Sequence, residues 1–125
     1  MKILLIDDDA LVLRSLSHQL AEEGYHVDTA KDGAEAVDYI EKEKTRPDLI
    51  ICDLLMPGIS GLTFISLLRN FHNFSIPVIV ISSLDKGYFL SQQAGIPGTD
   101  FLPKPVEFSL LSGKIKKYIP KTVQL

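Results

Sequence analysis

Composition excludes more than it identifies. The chain has a single cysteine in 125 residues, Cys52, and it lies inside an apolar run. A small buried hydrophobe is the natural role for it, so neither a disulfide framework nor a thiolate metal site is expected, and a reducing cytoplasm is the default setting. Basic charge is not in excess either: the formal net charge is -3, which gives no general attraction to nucleic acid or to anionic lipid. No apolar run approaches the length of a membrane span, and the opening MKILLID is too short and too soon charged for a signal peptide. His18, His26 and His72 are scattered without ligand spacing, which suits surface or core residues rather than metal ligands. Repeats, low-complexity tracts and linkers are missing. With 46% hydrophobic and 23% charged residues, the chain reads as one soluble domain over residues 1–120 with a short tail at 121–125.

What is present is an alternation of β-rich runs and helical periodicity. KILLI (Lys2 to Ile6) is apolar, and Ala10 to Glu23 places Val12, Leu13, Leu16 and Leu20 on one helical face before Gly24. Tyr25 to Thr29 alternates with period two, as a half-wet strand does. A helix is predicted over about Gly33 to Lys44, with Ala36, Val37 and Ile40 inward. Leu49 to Cys52 and Val78 to Ile81 are continuous apolar runs, the pattern of strands covered on both faces. Between them Leu62, Ile65, Leu67 and Leu68 give another apolar face. Asp85 to Ala94 is a weaker helix containing Gly87, Phe101 and Leu102 form a short strand, and Ser109 to Ile119 closes the domain with Leu111, Ile115, Tyr118 and Ile119 inward.

This alternation implies a parallel sheet with helices on both faces. Pro103 cannot donate to a ladder, so its strand belongs at one edge, and the alternating second strand suits the other. The expected fold is therefore an α/β flavodoxin-like (βα)5 sandwich with strand order 2-1-3-4-5, in which ligands bind beyond the carboxyl ends of the strands. At those ends stand Asp7, Asp8 and Asp9, then Asp53, then Ser82 and Ser83, then Lys104. Crowded carboxylates repel unless they share a cation, and Mg²⁺, a hard ion that takes oxygen ligands, fits them. A lysine and a hydroxyl beside them suit phosphoryl oxygens, and Asp53 could then act as a nucleophile. Each residue has a plainer role open to it. The three acids after the first strand could simply cap a helix, as Asp9 is expected to do, Ser83 could be a small neighbour of the site, and Phe101 could be static core. Met56, Pro57, Gly58 and Gly61 read as turn chemistry after Asp53. Lys114, Lys116 and Lys117 read as a solvated helix face.

LLIDDD, DLIICDLLMPGISG, PVIVISS and FLPKP, in this order and at these separations, resemble the receiver domain of two-component response regulators over nearly the whole chain. The resemblance implies that Asp53 accepts a phosphoryl group from the phosphohistidine of a sensor histidine kinase or phosphotransfer protein, or from a small donor such as acetyl phosphate. It implies Mg²⁺ bound by Asp8, Asp53 and the Leu55 backbone carbonyl, with Asp7 acting through a water. Lys104 would pair with the phosphoryl group, Ser82 would move to hydrogen-bond it, and Phe101 would be the switch aromatic that swings inward as that hydroxyl moves. The bond between Lys104 and Pro105 resembles one that is cis in the family. Such a domain is a regulatory switch, not an enzyme beyond promoting its own phosphorylation and dephosphorylation. It works through a downstream protein or an attached effector domain, with possible homodimer formation on phosphorylation and no direct nucleic-acid or membrane contact.

Departures from the family concern the signalling side. The region from Ser82 to Ala94 looks short and Gly95 to Asp100 long, and Pro103 should stiffen the strand before Lys104. Leu55 and Leu84 are aliphatic where many relatives are polar, which predicts a long-lived phosphorylated state. Two rival readings remain open at this stage. LLIDDDAL also resembles the opening of haloacid-dehalogenase-type phosphatases, with Asp7 as nucleophile and Asp9 as general acid, and a receiver-fold binding module could signal without phosphate. A flavin- or nucleotide-binding flavodoxin is disfavoured by three acids where a phosphate cradle needs glycine and amide groups.

Overall fold

A computed structural model of the chain describes residues 1–42, 46–70, 75–83 and 99–118. Its strands are β1 (Lys2–Ile6), β2 (His26–Ala30), β3 (Leu49–Asp53), β4 (Val78–Ser82) and β5 (Thr99–Pro103). The helices among the described residues are α1 (Ala10–Glu22), α2 (Gly33–Lys42), α3 (Gly61–Asn70) and α4 (Phe108–Lys116). All strand pairs are parallel and the order is β2-β1-β3-β4-β5. The expected architecture is found, with the half-wet strand at one edge and the proline strand at the other. β3 and β4 are buried along their full length, as their unbroken apolar runs require of strands covered on both faces.

Alternation along the strands divides the core into two layers. Leu4, Ile6, Ile50, Cys52, Val78 and Val80 face α2 and α3, where Ala36, Ile40, Phe64, Ile65 and Leu68 meet them. Ile3, Leu5, Ile51, Ile79, Ile81 and Leu102 face the other way, against Leu16 and Leu20 of α1 and Leu111 and Ile115 of α4. In α3 the buried set is Gly61, Phe64, Ile65 and Leu68, a spacing of three, four and seven that passes over Leu67. The apolar stripe read from sequence points to Leu67 as inward, whereas the structure buries Phe64.

Boundaries shift by small amounts. β2 starts at His26, one residue after Tyr25, and α4 starts at Phe108. Thr99 and Asp100, expected in a loop, open β5, because they continue the pairing with Val78 and Ile79. The predicted helix over Asp85 to Ala94, with Leu84, His72, Ile119 and the tail, lies outside the described residues. Among the described residues no helix is long and apolar enough to cross a membrane.

Two glycines shape the turn that follows β3. Gly58 has φ +76°, a left-handed conformation that side chains disfavour. Gly61 donates its N–H to Leu54 O at 3.0 Å, and a Cβ on it would stand 2.2 Å from the carbonyl oxygen of Asp53. Backbone cannot yield cheaply at such a contact. Gly61→Ala is therefore expected to destabilise the fold by about 1–3 kcal/mol, the range for overpacking, read as a lower urea midpoint at unchanged slope; a midpoint equal to that of the parent would show that the turn can open.

Candidate functional site

Register determines which polar groups meet. Ile6 pairs with Cys52, so the next residues, Asp7 and Asp53, emerge side by side from β1 and β3. Asp53 pairs with Ile81, and Ser82 pairs with Pro103, which brings Ser82 and Lys104 to the same rim. The Lys104 N–H donates to Ser82 O at 2.8 Å, extending the ladder by one residue past β5. The peptide between Lys104 and Pro105 is cis.

The Lys104 ammonium stands between two acids. Its Nζ lies 2.9 Å from Asp7 Oδ2 and 3.3 Å from Asp53 Oδ2. Asp7 is fully buried; its Oδ1 accepts the Asp9 N–H at 2.8 Å. Its Oδ2 is the atom ion-paired to the Lys104 ammonium. Asp53 is 4% exposed, and its Oδ1 accepts the Leu55 N–H at 3.3 Å. Burial, and then the charge of Asp7, push the Asp53 carboxyl up to about 6, against the opposing pull of Lys104 and the Leu55 N–H. For Lys104 burial opposes the charge, but the contact with Asp7 and the charges of Asp53 and Asp7 outweigh it and hold its pKa above the ordinary lysine value.

One ammonium does not balance the acids gathered here. Asp7, Asp8 and Asp53 each bring a carboxylate oxygen to within 4.8 Å of the others. The donors are all hard oxygens, and two of the three residues, Asp7 and Asp53, are buried. Both features fit a divalent cation of the Mg²⁺ type, and soft or imidazole-preferring metals would find no sulfur or nitrogen ligand in this cluster.

Of the other residues singled out from sequence, Ser82 is fully buried at the end of β4, and Phe101 is 8% exposed within the core layer that holds Val78 and Val80. Leu55, next to the site, is 50% exposed. Asp9 caps α1, its side chain accepting the Leu11 N–H at 2.9 Å, as expected. Cys52 is buried; burial, and then Asp53 and Asp7, raise its thiol pKa far above the usual range, which leaves it a core residue. His18 and His26 are exposed beside Glu22 and Asp28. Lys114 departs from the solvated face assigned to it, since it is ion-paired to Asp100 at 3.0 Å. No sequence pattern marks that pair, because its members are on different elements.

Comparison with known proteins agrees with this geometry. The family described as response regulator receiver domain matches residues 3–116. Response regulator MprA of Mycobacterium avium is 34% identical over 98% of the chain, which spans 52% of that relative's length. MprA of Mycobacterium leprae is 33% identical over the same share of the chain, again 52% of the relative. Among solved structures, chemotaxis protein CheY4 of Vibrio cholerae superposes with a TM-score of 0.85 at 28% identity, covering 94% of this chain and 98% of that one. The signal receiver domain of a histidine kinase from Syntrophus aciditrophicus does so with a TM-score of 0.82 at 31% identity, covering 94% and 88%. The chain is a member of the response regulator receiver domain family of two-component signalling.

Proposed function

We propose that this domain is a phosphorylation-operated switch whose phosphoacceptor is Asp53. The observation that carries this reading is Lys104 Nζ set between Asp7 and Asp53, with Asp8 completing an acidic cluster at the carboxyl end of a parallel sheet. A carboxyl pKa of about 6 leaves Asp53 mostly ionised at neutral pH, as a nucleophile must be. An Asp53 oxygen attacks the phosphorus of the donor, the P–N bond of a phosphohistidine or the P–O bond of acetyl phosphate breaks, and the leaving group departs with the electron pair. The product is an aspartyl phosphate. Asp8, Asp53 and the Leu55 carbonyl would hold Mg²⁺, with Asp7 behind a water. When bound, the ion supplies positive charge to the phosphoryl oxygens. Lys104 supplies further positive charge, and the Ser82 hydroxyl supplies a hydrogen bond to a phosphoryl oxygen.

Drawing Ser82 toward Asp53 would bias an existing equilibrium in which Phe101 repacks. Its ring already belongs to the core layer, so this is a rearrangement inside the protein rather than a swing from solvent. The domain, taken as residues 1–120, would receive its phosphoryl group in the cytoplasm from a sensor histidine kinase or phosphotransfer protein. Its output would pass to a docked protein or to an attached effector domain, a reading supported by curated relatives of about twice its length. Homodimer formation on phosphorylation is a further route, and direct contact with nucleic acid or membrane is not required. Apart from its own phosphorylation and dephosphorylation no catalysis is assigned to it. The phosphatase alternative gains no support, since Asp7 is wholly buried and Asp9 is occupied in capping α1.

Three outcomes test this function. Acetyl phosphate with Mg²⁺ should label the parent once and leave Asp53→Asn unlabelled, as read by intact mass. Label at one site in Asp53→Asn would place the nucleophile elsewhere. In metal-free buffer the second test follows from linkage: the folded Asp53 pKa of about 6 lies above the ordinary 3.8, so the native state binds more protons than the unfolded state between these values, and the parent loses stability as pH rises through that window. Asp53→Asn should thus be more stable than the parent at pH 7 by on the order of 1–3 kcal/mol, and the gap should shrink toward pH 4; Mg²⁺ at pH 7 should narrow it by stabilising the parent. A gap independent of pH would refute the assigned burial of charge. Third, Leu55 is half in solvent beside Asp53 and its aliphatic side chain cannot orient an attacking water, so Leu55→Asn should shorten the lifetime of the phosphorylated domain, measured as loss of label with time. Slower loss in Leu55→Asn than in the parent would contradict this.

A further inference from the structure

β5 (Thr99–Pro103) is an end strand of the described sheet, and part of its backbone faces away from β4. Lys104 sets the phase, because its N–H points to Ser82 O on β4. N–H groups alternate sides along a strand, so Asp100 and Leu102 also face β4 while Phe101 and Pro103 face outward. Pro103 has no N–H to satisfy. The outward N–H of Phe101 is taken by the preceding side chain, donating to Asp100 Oδ1 at 2.8 Å. That same oxygen accepts from Lys114 Nζ of α4 at 3.0 Å. A single carboxylate oxygen thus ties the backbone of Phe101 to the last helix.

The two sides of the sheet meet at this point. Asp100 reaches the α4 side, where Leu102 packs with Leu111 and Ile115, whereas the Phe101 ring enters the layer of Val78 and Val80. Only 24% of the Lys114 side chain and 26% of the Asp100 side chain are exposed, so their attraction is less screened than that of a fully solvated pair. Burial opposes the Asp100 charge most, yet the Lys114 and Phe101 hydrogen bonds with the charges of Lys114 and Lys117 overcome it and hold the carboxyl below its usual range. Just beyond β5, Lys104 touches Asp53 at 3.3 Å. The same segment carries the ammonium of the site at its end and the tie to α4 in its middle.

We propose that Asp100 and Lys114 are positioning residues that latch β5 to α4 in the resting arrangement and so set how strongly phosphorylation of Asp53 must act to shift Phe101. The latch rests on the phosphoacceptor reading above. Contacts made in the resting arrangement oppose any ligand that prefers the shifted one, and by reciprocity their removal raises the affinity for that ligand. Beryllium fluoride with Mg²⁺, a phosphoryl mimic, is the probe: its affinity is measured by fluorine NMR, alongside the initial rate of labelling by acetyl phosphate. Lys114→Met should bind the mimic more tightly by about two- to fivefold, the span of a partly exposed ion pair, and label faster. Asp100→Asn keeps an acceptor for the Phe101 N–H but loses the charge, and should match it, with the double variant gaining little more. Lys116→Met, on the exposed side of α4, should behave as the parent. If Asp100→Asn does not fold, Lys114→Met decides alone, since loss of a helix-surface ammonium leaves the core intact. Affinity and labelling rate in Lys114→Met that equal or fall below those of a responsive parent would reduce the pair to an ordinary ion pair and overturn the latch. A parent that neither binds the mimic nor labels would overturn the phosphoacceptor reading itself, and the latch with it.

Discussion

The packing of Asp7 and Asp53 side by side at the end of β1 and β3 is the constraint on which the remaining site features depend. Two carboxylates at or near full burial lose hydration together and repel each other, and both effects push the Asp53 carboxyl above its usual range. Lys104 relieves part of that repulsion from just beyond β5. The remaining negative charge, with Asp8 added, makes the rim compatible with a divalent cation.

Such a cluster survives because the scaffold beneath it leaves little freedom to escape. β3 and β4 are covered on both faces, and the strands that carry Asp7 and Asp53 are held in register from Ile3 and Leu49 onward. The turn after Asp53 is closed by the Gly61 N–H on Leu54 O, at a distance that admits no side chain. Among the described residues, the segment carrying Lys104, Phe101 and Asp100 has polar contacts both to the rim and to α4.

Much of this was legible in the chain. Continuous apolar runs marked β3 and β4, alternation marked β2 as half-wet, and Pro103 placed β5 at an edge, each for a backbone reason that holds in any context. Asp7, Asp53 and Lys104 could be gathered because strand ends in a parallel sheet lie at one rim. Phe64 was harder to read, since Leu62, Ile65 and Leu68 satisfied a helical stripe without it and the true phase begins at a glycine, which shows no hydrophobicity. The ion pair of Asp100 with Lys114 was illegible for a different reason. A salt bridge between a strand and a helix depends on how far each is rotated, and three lysines close together at the end of one helix look alike until one of them is seen against its partner.

Sequence alone determined the order of elements, the edge strands and the polar residues that close each strand, because hydrophobic period and proline's missing donor act locally. Only the tertiary structure decided which acids are desolvated and how they share one ammonium, and which lysine of α4 is tied to β5. Those depend on distances between chain segments, and charge interactions vary with distance and burial in a way that no local pattern encodes.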